Sequence, residues 1–179
     1  MDETTFWRIV EDAGAPDRCS PDEQCEAISE ALAGLSREDL VAFENIRQRL
    51  ASGLYTWPML KACFIVLSYV SDDVFEDFRH WVILNGKDRY LSTMQNPNTM
   101  VDYITVDDPI EETSGEHLMF VVENAWEGDI EDIEEHVDFP TVPDIDDDWP
   151  PKNELRREFP DLFDKYWNEE AIQRIHGDA

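Results

Sequence analysis

Positions 62–67 are apolar without a break, Ala-Cys-Phe-Ile-Val-Leu, so a helix built from them has no face suited to water. A helix that is apolar all round packs among other helices, and this one is too short for a bilayer, which takes about 20 such residues. Directly after it the pattern changes. Phe75, Phe78, Trp81 and Val82 recur at three- and four-residue steps, the spacing of a single helix face. Ser71 precedes them as an N-cap, with Asp72 and Asp73 in the first turn, where carboxylates favour the positive end of the helix dipole. Asn85-Gly86 ends the run, because glycine enters the left-handed region without steric cost. The middle of the chain is therefore expected to be one buried helix followed by one amphipathic helix.

The flanking pattern is helical as well. Phe6, Ile9, Val10 and Ala13 predict a short first helix, stopped by Gly14-Ala15-Pro16. Ser20-Pro21-Asp22-Glu23 combines a serine cap, a proline at the first helical position and a glutamate three residues on, and Cys25, Ile28, Leu32 and Leu35 form the inner face behind it. Ser36-Arg37-Glu38-Asp39 opens a third helix that carries Leu40, Phe43, Ile46, Arg47, Leu50 and Leu54 inward. Residues 89–95 predict a shorter helix with Tyr90, Leu91 and Met94 inward, broken at Asn96-Pro97, after which Asn98 is expected to cap a turn or two through Met100, Tyr103 and Ile104. Positions 101–106 come nearest to the alternation of a strand, over too few residues to make one.

Further on, Leu118, Val121, Val122, Ala125 and Trp126 keep helical spacing up to Gly128, and Ile130, Ile133 and Val137 continue it behind Glu131, Asp132, Glu134 and Glu135. Residues 139–151 form a proline-punctuated loop expected to lie across the helices on Phe139, Val142, Ile145 and Trp149. A final helix or pair, divided at Pro160, carries Leu155, Phe159, Leu162, Phe163, Tyr166 and Trp167. The expected fold is all-α: a single compact multi-helix domain over 1–179, with a long proline-punctuated acidic loop before the C-terminal helix. Residues 1–100 would form the helical core, 101–151 acidic helices and loop packed on it, and 152–179 the C-terminal helix.

Charge changes the picture. The 179 residues hold 42 acids and 14 bases, a net charge of −28, while 42 % apolar and 11 % aromatic content exclude a disordered chain. The imbalance is concentrated: residues 1–100 carry 17 acids and 9 bases, residues 101–179 carry 25 and 5. No lysine or arginine lies between Arg89 and Lys152, whereas 18 acids lie from Asp102 to Asp148. Such a surface argues against direct binding to nucleic acid or anionic membrane, both of which need a basic footprint. The three cysteines, Cys19, Cys25 and Cys63, give no disulfide framework and no four-ligand zinc site. With no signal-like N-terminus and no run long enough to span a membrane, the expected compartment is the cytoplasm.

Several stretches together resemble a known family. The N-terminal Met1-Asp2-Glu3-Thr4-Thr5-Phe6-Trp7, Leu35-Ser36, Tyr55-Thr56-Trp57 and above all Ser71-Asp72-Asp73-Val74-Phe75-Glu76-Asp77-Phe78-Arg79-His80-Trp81-Val82-Ile83, followed by Gly86 and Tyr90-Leu91, are similar to the bacterial DUF4240 family, a domain of unknown function common in actinobacteria. Trp149 and Pro160-Asp161-Leu162 match it more loosely. The chain departs from the family at Val74, where a small residue is usual, and in the acidity of 102–148. The resemblance implies a helical cytosolic domain and brings no catalytic residue with it.

Candidate chemistry is sparse. Asp144-Ile145-Asp146-Asp147-Asp148 opens like a calcium loop, but such a loop needs glycine at its sixth position and glutamate at its twelfth, and those positions are Trp149 and Leu155. No phosphate loop, nucleophile elbow or His-Glu-x-x-His is present, so no metal site and no cofactor is expected. Cys19 and Cys25 are six apart rather than in a C-x-x-C pair, His80 is expected at the core boundary, and His117 and His136 stand among carboxylates. Two classes of function follow. A non-catalytic acidic interaction protein, immunity- or inhibitor-like or a nucleic-acid mimic, would bind a basic protein or cationic peptide through Glu131, Asp132, Glu134, Glu135, Asp144, Asp146, Asp147 and Asp148, because a one-signed field steers a basic partner and penalises acidic competitors. The alternative is a small enzyme or small-molecule-binding protein whose pocket gathers Trp57, Asp72, Asp73, Arg79 and Trp81, with Asp72, Asp73 and Arg79 as candidate catalytic groups.

Overall fold

The first five helices start where the sequence supplies a side-chain oxygen for one of their first free N–H groups. The structure, a computed structural model, describes residues 1–14, 18–104, 109, 113–142, 144–145 and 149–176. Helix α1 (Glu3–Asp12) is capped by Asp2, which accepts from Thr5 N at 2.8 Å. At α2 (Pro21–Leu32) both halves of the capping box form, Glu23 N to Ser20 Oγ at 3.2 Å and Ser20 N to Glu23 Oε2 at 2.9 Å. Ser36, Thr56 and Ser71 cap α3 (Arg37–Gly53), α4 (Trp57–Leu67) and α5 (Asp72–Leu84) by accepting Asp39 N, Met59 N and Val74 N, without the reciprocal half of the box. Each such cap contributes about 1 kcal/mol. Among the described residues all regular structure is helical, in a single compact all-α domain. No single helix there is long and apolar enough to cross a membrane.

The two middle helices form the centre. In α4, Met59, Ala62, Cys63, Ile65, Val66 and Leu67 are buried, and so is Lys61, whose ammonium reaches Glu158 and lies over the rings of Trp57 and Phe159. In α5 the expected amphipathic face holds only for the first half. From Phe78 to Leu84 every side chain is buried, Arg79 and His80 included. The cause lies far along the chain: the segment at Gly115 covers the outer side of α5, with Gly115 N donating to Asp77 O at 3.0 Å. A Cβ on Gly115 would stand 2.2 Å from Trp81 N and 2.5 Å from the His80 carbonyl carbon, so only glycine lets the two backbones approach this closely.

Around this centre, α6 (Lys87–Gln95) begins at Gly86, where φ is +87°, and the Glu11 carboxylate accepts Lys87 N at 3.0 Å. Tyr90 is inward, its hydroxyl on Leu50 O at 2.9 Å, but Leu91 and Met94, expected inward, are exposed at 44 % and 46 %. A helix that touches its neighbours along one narrow stripe cannot bury a second row. Next comes a 3-10 turn, Pro97–Asp102, capped by Asn96 rather than Asn98. Asn98 does different work. Its Oδ1 accepts Asp161 N and Leu162 N, each at 3.1 Å, and its Nδ2 donates to Asp161 Oδ2 at 2.6 Å. It thereby satisfies the first N–H groups of a helix 63 residues away.

A second 3-10 turn, Glu116–Met119, leads into α7 (Val121–Ala125), which packs Val121, Val122 and Ala125 toward α2. Then come α8 (Glu131–Glu134), α9 (Lys152–Glu158), α10 (Pro160–Tyr166) and α11 (Glu169–His176). The C-terminal part divides at Pro160 as expected and again before Glu169. Leu155, Phe159, Leu162 and Phe163 are buried there, and α10 packs on α4.

Candidate partner-binding surface

A helix as short as α8 does not hold its shape by itself, because nucleation is unfavourable. Here three contacts fix it. Ile133 is 1 % exposed in the core. Arg37, at the start of α3, donates from Nε and Nη2 to Asp132 O at 2.8 and 2.6 Å. Asn45, also on α3, accepts Asp138 N at 2.7 Å. Ahead of the turn, Trp126 Nε1 donates to Asp129 O at 3.0 Å. Burying one isoleucine contributes about 1.5–3 kcal/mol, whereas each like-charge pair on an exposed helix costs about 0.2–0.5 kcal/mol. Packing wins, and the carboxylates inherit a definite geometry.

Glu131, Asp132, Glu134 and Glu135 all point to solvent, as does Asp144; Asp146, Asp147 and Asp148 lie outside the described residues. Among the described residues, no carboxylate from Glu116 to Asp144 forms an ion pair with lysine or arginine. Arg37, which reaches α8 from the start of α3, spends its guanidinium on the Asp132 carbonyl and the His136 ring. The surface is not purely acidic. Phe139 is 65 % exposed and Val142 39 %, so these two do not anchor the loop as the sequence suggested. Trp149 is also 39 % exposed, but its ring lies 4.8 Å from that of Trp57 and 4.9 Å from that of Phe64, and Ile145 is partly buried, so the loop is held by one edge of Trp149 and by Ile145. Trp167 stacks on Phe163 at 4.5 Å, and Trp126 is half-buried.

The residues of the alternative pocket are placed differently from one another. Asp72 and Asp73 are exposed in the first turn of α5. Arg79 is buried: Nη1 donates to Ala51 O at 2.9 Å, Nε to Phe75 O at 3.2 Å, and the guanidinium lies 5.0 Å from the ring centres of Tyr55 and Phe75. Its donors thus satisfy the end of α3, and burial draws its pKa below the usual arginine value. Trp81 is 2 % exposed, stacked between Phe78 and Tyr103, while Trp57 sits against Trp149. His80, expected at the core boundary, is 1 % exposed and bonded to Arg47, itself paired with Glu44. Burial, then the charges of Arg47 and Arg79, hold His80 well below the ordinary histidine range, so it is neutral. Burial also pushes the Cys25 thiol up to about 12 and Cys63 higher still, which leaves both unreactive.

Two acidic features were not singled out in the sequence. Asp77 on α5 titrates at about 6, raised first by burial and then by Glu116, Glu76 and Asp73, with His117 opposing. Separately, a cleft of about 460 Å³ between α2 and the segment ending in α7 is lined by Asp22, Glu26 and Glu30, together with Ser29, His117 and Asn124. The four-residue spacing of those three acids was the available signal, but the wall opposite them comes from about a hundred residues along the chain.

A family model described as a protein of unknown function (DUF4240) matches residues 1–128. No curated protein and no solved structure matches the chain.

Proposed function

The chain belongs to the DUF4240 family, and from that premise we propose that it is a non-catalytic acidic interaction protein that binds a basic protein or cationic peptide, in the manner of an immunity protein, an inhibitor or a nucleic-acid mimic. The observation that supports this most is the state of α8. Glu131, Asp132, Glu134 and Glu135 are exposed, held on a turn tethered by Arg37 through the Asp132 carbonyl, and their carboxylates form no ion pair with lysine or arginine among the described residues. Charges fixed in place and left unneutralised favour an incoming cation without the cost of first breaking an internal pair. Phe139 and Val142, exposed a few residues further along the chain, supply the apolar contact that steering alone lacks, since interfaces combine a charged rim with aromatic and aliphatic anchors. The proposal sets this encounter in the cytoplasm, in keeping with the buried, unbridged thiols of Cys25 and Cys63.

The test is a capture experiment on the full chain beside the variant Glu131→Gln/Asp132→Asn/Glu134→Gln/Glu135→Gln, read by mass spectrometry. The wild type is expected to retain a basic protein at about 50 mM salt and release it near 500 mM, as the screening length shortens from roughly 14 to 4 Å, and the variant to retain far less. Retention that ignores both salt and substitution would refute the proposal.

A further inference from the structure

We infer that a cleft between the end of α4 and the last two helices binds a small organic carboxylate with a flat apolar body, at a site separate from the acidic surface of α8. The cleft measures about 670 Å³, within the range of roughly 300–1,000 Å³ typical of small-molecule sites. Its lining includes Ser68, which is 4 % exposed and closes α4, its N donating to Phe64 O at 2.8 Å. Ser68 has φ +60°, and among the described residues it is the single non-glycine residue with positive φ. A helix that ends in the left-handed region usually ends on glycine, which has no Cβ to strain. Serine adds a hydroxyl at this point, and that hydroxyl has no hydrogen-bond partner among the described residues. An unpartnered hydroxyl on a residue more than nine-tenths buried, set in the wall of a cleft, is a group that a ligand can satisfy.

Charge selects what the ligand carries. Lys165 and Arg174 both line the cleft, and neither forms an ion pair among the described residues. Lys165 Nζ donates instead to the carbonyls of Ile104 at 2.9 Å and Val101 at 3.4 Å, so no carboxylate offsets its charge. Asn168 Oδ1 accepts Ala171 N at 3.0 Å and fixes the start of α11, which carries Arg174. Two glutamates share the rim. Glu169 is held by Lys152 and by Trp167 Nε1, which leaves Glu170 against two cations. Over the whole chain 42 acids face 14 bases, so this local balance is the reverse of the general one. One surplus positive charge matches a carboxylate, which arginine bonds through two parallel N–H groups; a doubly charged phosphate would exceed it. Val66, Leu67 and Trp167 line the same space, and Ile175 is 46 % exposed at its edge, so the apolar body of the ligand has a wall to lie on.

Naphthalene-2-carboxylate and 2-naphthylmethylammonium test this, because they carry opposite charges on the same ring system. Equilibrium dialysis against the full chain, at about 150 mM salt to screen charges beyond roughly 8 Å, is expected to show the carboxylate binding about tenfold more tightly. The net charge of −28 favours the ammonium, so a preference for the carboxylate has to arise locally. Arg174→Gln should remove that preference. Ser68→Gly, which suits the left-handed backbone and loses the hydroxyl, should weaken the carboxylate about fivefold and leave the ammonium unchanged. The four-residue substitution in α8 should alter neither. Arg174 is exposed and glycine fits the φ at position 68, so neither variant is expected to lower the thermal midpoint. An ammonium bound as tightly as the carboxylate, a carboxylate affinity indifferent to Arg174 and Ser68, or no carboxylate binding at all would overturn the site. Each of those results would leave the basic-partner proposal to its own capture experiment.

Discussion

The second half of α5 and the single turn of α8 both carry charged side chains beside buried apolar ones, and they treat charge in opposite ways. Around α5 the buried cations are spent on the fold: Arg79 on the carbonyls of Ala51 and Phe75, Arg47 on Glu44 and His80. In α8 the buried residue is Ile133, and the carboxylates remain outside with no lysine or arginine ion pair among the described residues, Arg37 being held on the Asp132 carbonyl. Burying a charge without partners costs several kcal/mol, so a core tolerates only charges already satisfied. A surface exacts no such condition, and charge left unpaired there is free to act on something else. The contrast teaches that the Arg79 guanidinium is already engaged by the backbone of the fold, while the glutamates of α8 stay exposed.

The sharpest way to break this contrast is at Gly115. Gly115→Ala puts a methyl group 2.2 Å from Trp81 N; a loss of about 3 kcal/mol or more is expected in urea unfolding, with the covering of α5 lost first. An effect below 1 kcal/mol would mean that α5 does not depend on that cover. Next in size, Ile133→Ala should cost about 2–3 kcal/mol, confined to one region: hydrogen exchange should speed up at 131–138 and hardly change in α4. If exchange rises throughout, α8 is part of the core and not an attachment to it.

Asp77 sharpens the contrast through pH. Its folded pKa of about 6 lies above the ordinary aspartate value of 3.8, so the folded state binds the proton more tightly. Stability contributed by the protonated form is complete below pH 4 and is lost as pH rises through 6. Asp77→Asn should therefore flatten the thermal midpoint over pH 4–6 and stabilise the protein at neutral pH by about 1 kcal/mol, solvent screening having reduced the full shift. A variant whose midpoint keeps the wild-type slope would remove Asp77 as its source. The smallest effect is expected at α8, where the four-residue substitution to amides should leave stability within about 0.5 kcal/mol while lowering affinity for a basic peptide and flattening its salt dependence. A large stability change there would show that those carboxylates hold the fold together.

The sequence by itself determined the helices: the caps at Ser20, Ser36 and Ser71, the apolar run in α4, the stop at Gly86 and the break at Pro160 all lie in local patterns. Local patterns are legible because a helix is closed by hydrogen bonds four residues apart, so its cause is near its effect. The sequence also located the acids of α8. Tertiary structure alone decided what each of those groups meets. It put Gly115 over His80, set Asn98 at the head of a helix 63 residues on, turned Leu91, Met94 and Phe139 outward, and closed the acids of α2 into a cleft with Asn124. Side chains that show one face to a helix pattern take their chemistry from whichever distant segment covers that face, and no spacing within the helix encodes which segment that is.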